Sequence, residues 1–109
     1  MPTTNDSIKQ LTQEIRTFTD ARGWYTGGVQ VIKGLAISIS LEASELLEHF
    51  QWVKDEDVEG HLEEKREEIS DELADVVIYA MEFADHAGID LAEAVRLKME
   101  KNGRKYSVG

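Results

Sequence analysis

Four carboxylate residues in two matched pairs are the part of this sequence best suited to chemistry. Glu42 and Glu45 stand three positions apart, and so do Glu72 and Asp75. On a helix this spacing puts both members of a pair on one side. Each pair lies among apolar residues, where a carboxylate is costly unless it is paired or bound to a metal. If the two helices form a hairpin, the four groups converge into an oxygen-rich site suited to Mg²⁺, with Mn²⁺ as the alternative.

Spacing alone leaves a simpler interpretation open. With 22 acidic residues in the chain, such pairs also arise by chance, and a carboxylate on a helix is usually solvated. A further pair, Glu68 and Asp71, lies one turn before Glu72. Di-iron carboxylate bundles use Glu-x-x-His pairs, and no histidine of this chain has a glutamate three positions earlier. Di-iron chemistry is therefore not expected, and His49, one turn after Glu45, is interpreted as structural.

Apolar periodicity predicts four helices to position these groups. The first follows N-cap residue types ending at Ser7 and ends near Arg22. The others run from about Val29 to Val53, His61 to Ala87 and Leu91 to Asn102. Asp55 to Gly60 is expected to be a break, Gly88 a C-cap and Asp90 an N-cap. No strand pattern competes, so the predicted fold is an all-α four-helix bundle forming one domain over residues 1–109.

Composition narrows the classes of protein. The net charge of −10 argues against binding a nucleic-acid polymer, which requires Lys and Arg to neutralise phosphates. A polyanionic substrate would instead need a divalent cation between it and the protein. There is no cysteine, no apolar run of about 18 residues and no signal-peptide pattern, so a cytoplasmic protein with no membrane association is expected.

The second predicted helix is apolar around most of its circumference. Residues such as Ile32, Leu35, Ile39 and Leu41 cover more than one side of it. A helix of this kind is buried on most sides. We therefore expect a homo-oligomer, a dimer or a tetramer, with this helix in the interface.

Three blocks of the sequence resemble one family. LEASELLEHFQW at residues 41–52 and ELADVVIY at residues 72–79 resemble the two halves of the MazG-like motif, E-x-x-E followed by E-x-x-D. KMEKNGRKY at residues 98–106 resembles the family's basic C-terminal segment. Within this family, the sequence most resembles the compact members of the deoxycytidine triphosphate pyrophosphatase type.

The resemblance implies a nucleotide pyrophosphohydrolase that removes unwanted nucleotides from the pool. Such an enzyme hydrolyses a nucleoside triphosphate to the monophosphate and pyrophosphate. The positions that match the magnesium ligands are Glu42, Glu45, Glu72 and Asp75, with Glu45 also proposed as the proton acceptor. Glu72 and Asp75 are preferred to the earlier acidic pair because Asp75 leads directly into an apolar stretch, as in the family.

Eight further residues are candidates for substrate binding. They are aromatic residues that suit base stacking, and cations and an amide that suit phosphate or sugar: Trp24, Trp52, Tyr79, Lys33, Lys98, Asn102, Arg104 and Lys105. Core packing explains the aromatic residues equally simply, and a basic turn at a helix C-terminus explains the last cations.

The positions that would choose the base do not match the family. Gln30 stands where deoxycytidine-type relatives carry a histidine, and Lys33-Gly34 stands where they carry an Arg/Lys-Asn pair. The expected substrate preference is similar to that of enzymes that prefer deoxycytidine triphosphate. The alternatives are a non-catalytic acidic helical binding module, or a superfamily member that acts on deoxyuridine or non-standard nucleotides.

Overall fold

Five α-helices make up most of the described chain. The computed structural model describes residues 7–25 and 28–108, and for residues 28–30 it describes the backbone alone. The helices are α1 (Ile8–Ala21), α2 (Gly28–Glu48), α3 (Val58–Glu64), α4 (Arg66–Ala87) and α5 (Leu91–Lys105). A single 3₁₀ turn, Asp55–Asp57, leads into α3, and no strand occurs in these residues. The all-α prediction is confirmed.

The predicted count of four helices was wrong for the described residues. The single helix expected from His61 to Ala87 is two helices, because Lys65 leaves helical geometry at φ −110° and ψ 22°. The break expected over Asp55 to Gly60 is also wrong in part, since α3 begins at Val58. Three acidic residues directly before it complement the positive end of the helix dipole and offset the low helix propensity of Gly60.

Local signals define several helix ends as expected. The Ser7 hydroxyl accepts a hydrogen bond of 3.0 Å from the Gln10 amide, and the Asp90 carboxylate accepts one of 3.1 Å from the Glu93 amide. Gly88 ends α4 in the left-handed conformation at φ +70°, which glycine adopts without strain. The far end of α2 differs from the prediction: the helix stops at Glu48, and residues 49–52 form turns.

The α2–α4 hairpin is the centre of the fold. These two helices form the most extensive helix contact, while α1 packs on α4 and α5, and α3 packs on α4. The buried apolar core is Leu35, Ile69, Met81 and Ala84. An ion pair of 2.8 Å between Arg16 and Asp85 joins α1 to α4. The hairpin thus brings together the two helices that carry the acidic pairs.

The single chain leaves much apolar surface open. Its accessible surface is 8540 Å², against about 6100 Å² for a compact protein of this mass. Its radius of gyration is 16.9 Å, against about 13 Å for a compact domain of this length. Ile37, Leu41 and Leu47 of α2 are each more than half exposed. Among the described residues, no helix combines the length and apolar character that a membrane span requires.

Candidate metal centre and adjoining cavity

Three of the four predicted metal ligands come together across the α2–α4 hairpin. Glu42 and Glu45 project from α2 and Glu72 from α4, and one carboxylate oxygen of each lies within 4.8 Å of the others. The i, i+3 spacing on α2 puts the first two on the side that faces α4. The sequence therefore predicted three acidic residues that the fold brings together. We call Glu42, Glu45 and Glu72 the acidic cluster.

The electrostatics of the acidic cluster favour a bound cation. A hydrogen bond with Glu72, partial burial and the nearby charge of Glu45 together raise the pKa of Glu42 to about 7. The Glu42 carboxyl group is thus more easily protonated than an isolated one, because the neighbouring carboxylates disfavour its charge. In addition, Oε2 of Glu72 is buried and has no hydrogen-bond partner among the described residues. A divalent cation would satisfy this oxygen and replace the proton, so the donor set fits Mg²⁺.

Asp75, the fourth predicted ligand, lies beside the acidic cluster and is not within it. It stands one turn after Glu72 on α4, is exposed, and lines a neighbouring cavity. Its charge, together with those of Glu42 and Glu45, reaches Tyr79 and contributes to the raised pKa of that residue. Its role as a ligand stays a prediction.

The alternative acidic pair one turn earlier lies outside the acidic cluster. Glu68 and Asp71 are exposed, and Glu68 approaches Lys65 at 4.0 Å. His49 is half-buried and lines a second cavity with Glu45, Glu48 and Glu72. The histidine is thus close to the acidic cluster although it was interpreted as structural.

An aromatic cavity opens between α1 and α4 next to the acidic cluster. Its volume is about 450 Å³, and we call it the aromatic cavity. Its lining residues are mostly apolar or aromatic, with three acids: Glu14, Ile15, Phe18, Thr19, Trp24, Tyr25, Asp75, Ile78, Tyr79 and Glu82. Two of the predicted substrate-binding residues, Trp24 and Tyr79, therefore lie in one cavity.

Two lining residues of the aromatic cavity, Tyr25 and Glu82, were not predicted from the sequence as site residues. Burial and the charge of Glu82 raise the pKa of Tyr25 to about 12. Burial is also the main cause of the raised pKa of Glu82. Asp75, Tyr79 and Glu82 follow at i, i+4 and i+7, the spacing of one helix face, and this signal could have identified Glu82.

The remaining predicted substrate contacts are not brought to the acidic cluster within one chain. Trp52 is 87% exposed and lines a different cavity, formed with α3. Lys33 is exposed on α2, and Lys98, Arg104 and Lys105 are exposed on α5, whose main contact is with α1. Asn102 is half-buried on the same helix. Gln30 lies outside the residues whose side chains the structure describes.

Comparison with known proteins identifies the family. Residues 37–109 match the MazG-like family. A pyrophosphatase of known crystal structure from Archaeoglobus fulgidus DSM 4304 is similar with a TM-score of 0.84 and 42% sequence identity, over 99% of each chain.

Curated relatives match more than two thirds of the chain. The dCTP pyrophosphatase 1 of Bos taurus is 36% identical over 70% of this chain and 46% of its own length. The human dCTP pyrophosphatase 1 is 36% identical over 68% of this chain and 45% of its own length. The chain thus spans less than half the length of these relatives. The matched region includes both acidic helices, and the chain belongs to the MazG-like family.

Proposed function

We propose that this protein is a Mg²⁺-dependent nucleoside triphosphate pyrophosphohydrolase that acts on deoxynucleotides. Its proposed substrate preference is similar to that of enzymes that prefer dCTP. The observation that carries the proposal is the acidic cluster beside an aromatic cavity. A site for phosphate-bound metal and a site for a flat base then share one helix, α4. Membership of the MazG-like family supports this activity, as do the relatives described as pyrophosphatases.

Charge explains why a metal is needed. The three carboxylates of the acidic cluster, with Asp75 nearby, would repel a triphosphate. We propose that Glu42, Glu45, Glu72 and Asp75 hold Mg²⁺, with Mn²⁺ as a substitute. A metal bound there would offset this repulsion and polarise the phosphorus towards a water molecule. Glu45, which is exposed at the edge of the cluster, is proposed to accept the proton of that water.

The base is proposed to lie in the aromatic cavity. Trp24 is half exposed there and makes an edge-on contact with Phe18 at 5.8 Å between ring centroids. Its open surface, with the ring of Tyr79, offers faces for stacking, which contributes about 1–3 kcal/mol per base. A flat heterocycle of a nucleotide therefore suits this cavity better than an aliphatic ligand does.

The active form is proposed to be a homo-oligomer, a dimer or a tetramer. The exposed apolar residues of α2 and α5 need cover, and the large surface of the single chain points the same way. The proposed phosphate-binding residues Lys33, Lys98, Arg104 and Lys105, and the stacking residue Trp52, lie away from the acidic cluster of their own chain. Assembly is a way for such residues to complete a site.

Matched substitutions on α4 test this function. Glu72→Gln and Asp75→Asn should each lower the release of pyrophosphate from dCTP by about a hundredfold or more, since even outer-shell changes at metal sites cost about ten- to a hundredfold. Asp71→Asn is the matched control, because Asp71 is an exposed acid on the same helix. It should keep nearly normal turnover, and all three proteins should keep their helix content by circular dichroism. Nearly normal activity in Glu72→Gln and Asp75→Asn would refute the site assignment.

A further inference from the structure

Glu82 is a buried carboxyl group that the proposed reaction does not use. Its side chain belongs to α4 and to the lining of the aromatic cavity, and the residue is only 6% exposed. Its Oε2 atom has no hydrogen-bond partner among the described residues. A buried acceptor without a partner is costly, and such atoms are rare in native proteins. A ligand that enters the cavity with a hydrogen-bond donor would remove this cost.

The surroundings of Glu82 indicate what kind of ligand this is. Tyr25 and Tyr79 flank it, and the charges of Glu82 and of Glu42 in the acidic cluster both raise the pKa of Tyr79. Along α4, Tyr79 lies between Glu72 of the acidic cluster and Glu82. A molecule with phosphates at the acidic cluster and a flat ring in the aromatic cavity can present the edge of that ring to Glu82.

We propose that Glu82 is the specificity-determining residue for the base, and that its Oε2 accepts a hydrogen bond from an exocyclic amino group. This inference rests on the proposed function, because it assumes that a nucleotide occupies the two adjoining sites. The amino group is that of cytosine or adenine. Uracil and hypoxanthine carry a carbonyl oxygen at the corresponding position, so that position offers no proton to Oε2, and their nearest donor is the ring N–H beside the carbonyl group.

Two pairs of substrates isolate this contact. The base of dCTP differs from that of dUTP by an amino group in place of a carbonyl group and by an unprotonated ring nitrogen beside it, and dATP differs from dITP in the same way. We expect kcat/KM to favour the amino member of each pair by about tenfold or more, because the other member leaves the buried acceptor without a partner. The alternative is equal rates within a pair or a preference for dUTP and dITP, and either result would overturn the proposal.

Glu82→Met removes the acceptor and keeps an unbranched side chain of similar length. The preference within each pair should fall to about threefold or less, mainly through slower turnover of dCTP and dATP. The variant loses the unpartnered buried oxygen but also the hydrogen bond that the Tyr25 hydroxyl donates to Glu82, so its unfolding temperature should stay close to that of the wild type. Glu68→Gln is the control, since Glu68 is an exposed carboxylate on the same helix that does not line the cavity. It should leave both ratios unchanged, and an equal change in the two variants would contradict a specific contact.

Binding of nucleoside monophosphates separates this inference from the proposed function. With Mg²⁺ present to offset the charge of the acidic cluster, dCMP should bind more tightly than dUMP in a calorimetric titration, and Glu82→Met should remove the difference. If no triphosphate is hydrolysed but this difference is found, the proposed activity fails and the assignment of Glu82 stands. If dCMP and dUMP bind equally, or neither binds, the assignment of Glu82 is wrong.

Discussion

Binding of a divalent cation to the acidic cluster should release a proton. The pKa of Glu42 is raised to about 7, chiefly by its hydrogen bond with Glu72. Metal-bound carboxylates are deprotonated, so the metal displaces whatever proton the cluster holds. A group of this pKa is about 90% protonated at pH 6, about half protonated at pH 7 and about 10% protonated at pH 8. We therefore expect about 0.9, 0.5 and 0.1 protons to be released per site, and the affinity to fall about tenfold from pH 8 to pH 6.

Isothermal titration calorimetry measures this number directly. Ca²⁺ is a suitable probe because it binds the same oxygen ligands. The observed enthalpy, plotted against the ionisation enthalpy of several buffers, has the number of released protons as its slope. Glu42→Gln should remove the slope at pH 6, whereas Glu68→Gln, which changes an exposed acid outside the cluster, should keep it. A slope near zero for the wild-type protein at pH 6 would refute the shared proton.

Three further predictions concern stability. Leu35→Ala should lower the free energy of unfolding, measured by urea titration, by about 2–5 kcal/mol, because Leu35 is only 1% exposed. Val108→Ala, at a fully exposed residue, is the control and should change the free energy of unfolding by less than about 0.5 kcal/mol. In a chelator, the melting temperature should fall as pH rises from 5 to 8. The raised pKa values of Glu42 and Glu82 mean that the folded protein holds protons on them more tightly than the unfolded chain, whose glutamates have a pKa near 4.5. Glu42→Gln should lessen this dependence, and a melting temperature that rises with pH in both proteins would contradict it. Gly88→Ala should lower the free energy of unfolding by about 1 kcal/mol, because the backbone there has φ +70° although the space for a methyl group is open. Gly60→Ala, inside α3, should raise the free energy of unfolding by about 0.5–1 kcal/mol. Equal effects of the two substitutions would show that backbone conformation is not the cause.

The acidic cluster could be predicted because it depends on local spacing. Residues three apart on a helix share a side whatever the rest of the fold does, so Glu42 and Glu45 face α4 together. Predicting the hairpin of α2 and α4 then required only the apolar pattern of each helix. The caps at Ser7, Gly88 and Asp90 are likewise properties of a few neighbouring residues.

Features that depend on tertiary packing could not be read in the same way. Lys65 interrupts a periodic stretch without any proline or glycine beside it, so the division between α3 and α4 has no simple local signal. Glu82 lies on the same helix face as Asp75, but its burial depends on α1 and Tyr25. The positions of Trp52 and of the basic residues on α5 relative to a substrate depend on neighbouring chains under the proposed assembly.

The products of dCTP hydrolysis test the central claim most directly. Phosphorus-31 NMR of the protein with dCTP and Mg²⁺ should show dCMP and pyrophosphate appearing in equal amounts, and no reaction in excess chelator. The acidic cluster is the only group of three or more candidate metal ligands found among the described residues, so turnover should depend on it. The appearance of dCDP and orthophosphate, or hydrolysis that continues unchanged in the chelator, would contradict a metal-dependent pyrophosphohydrolase.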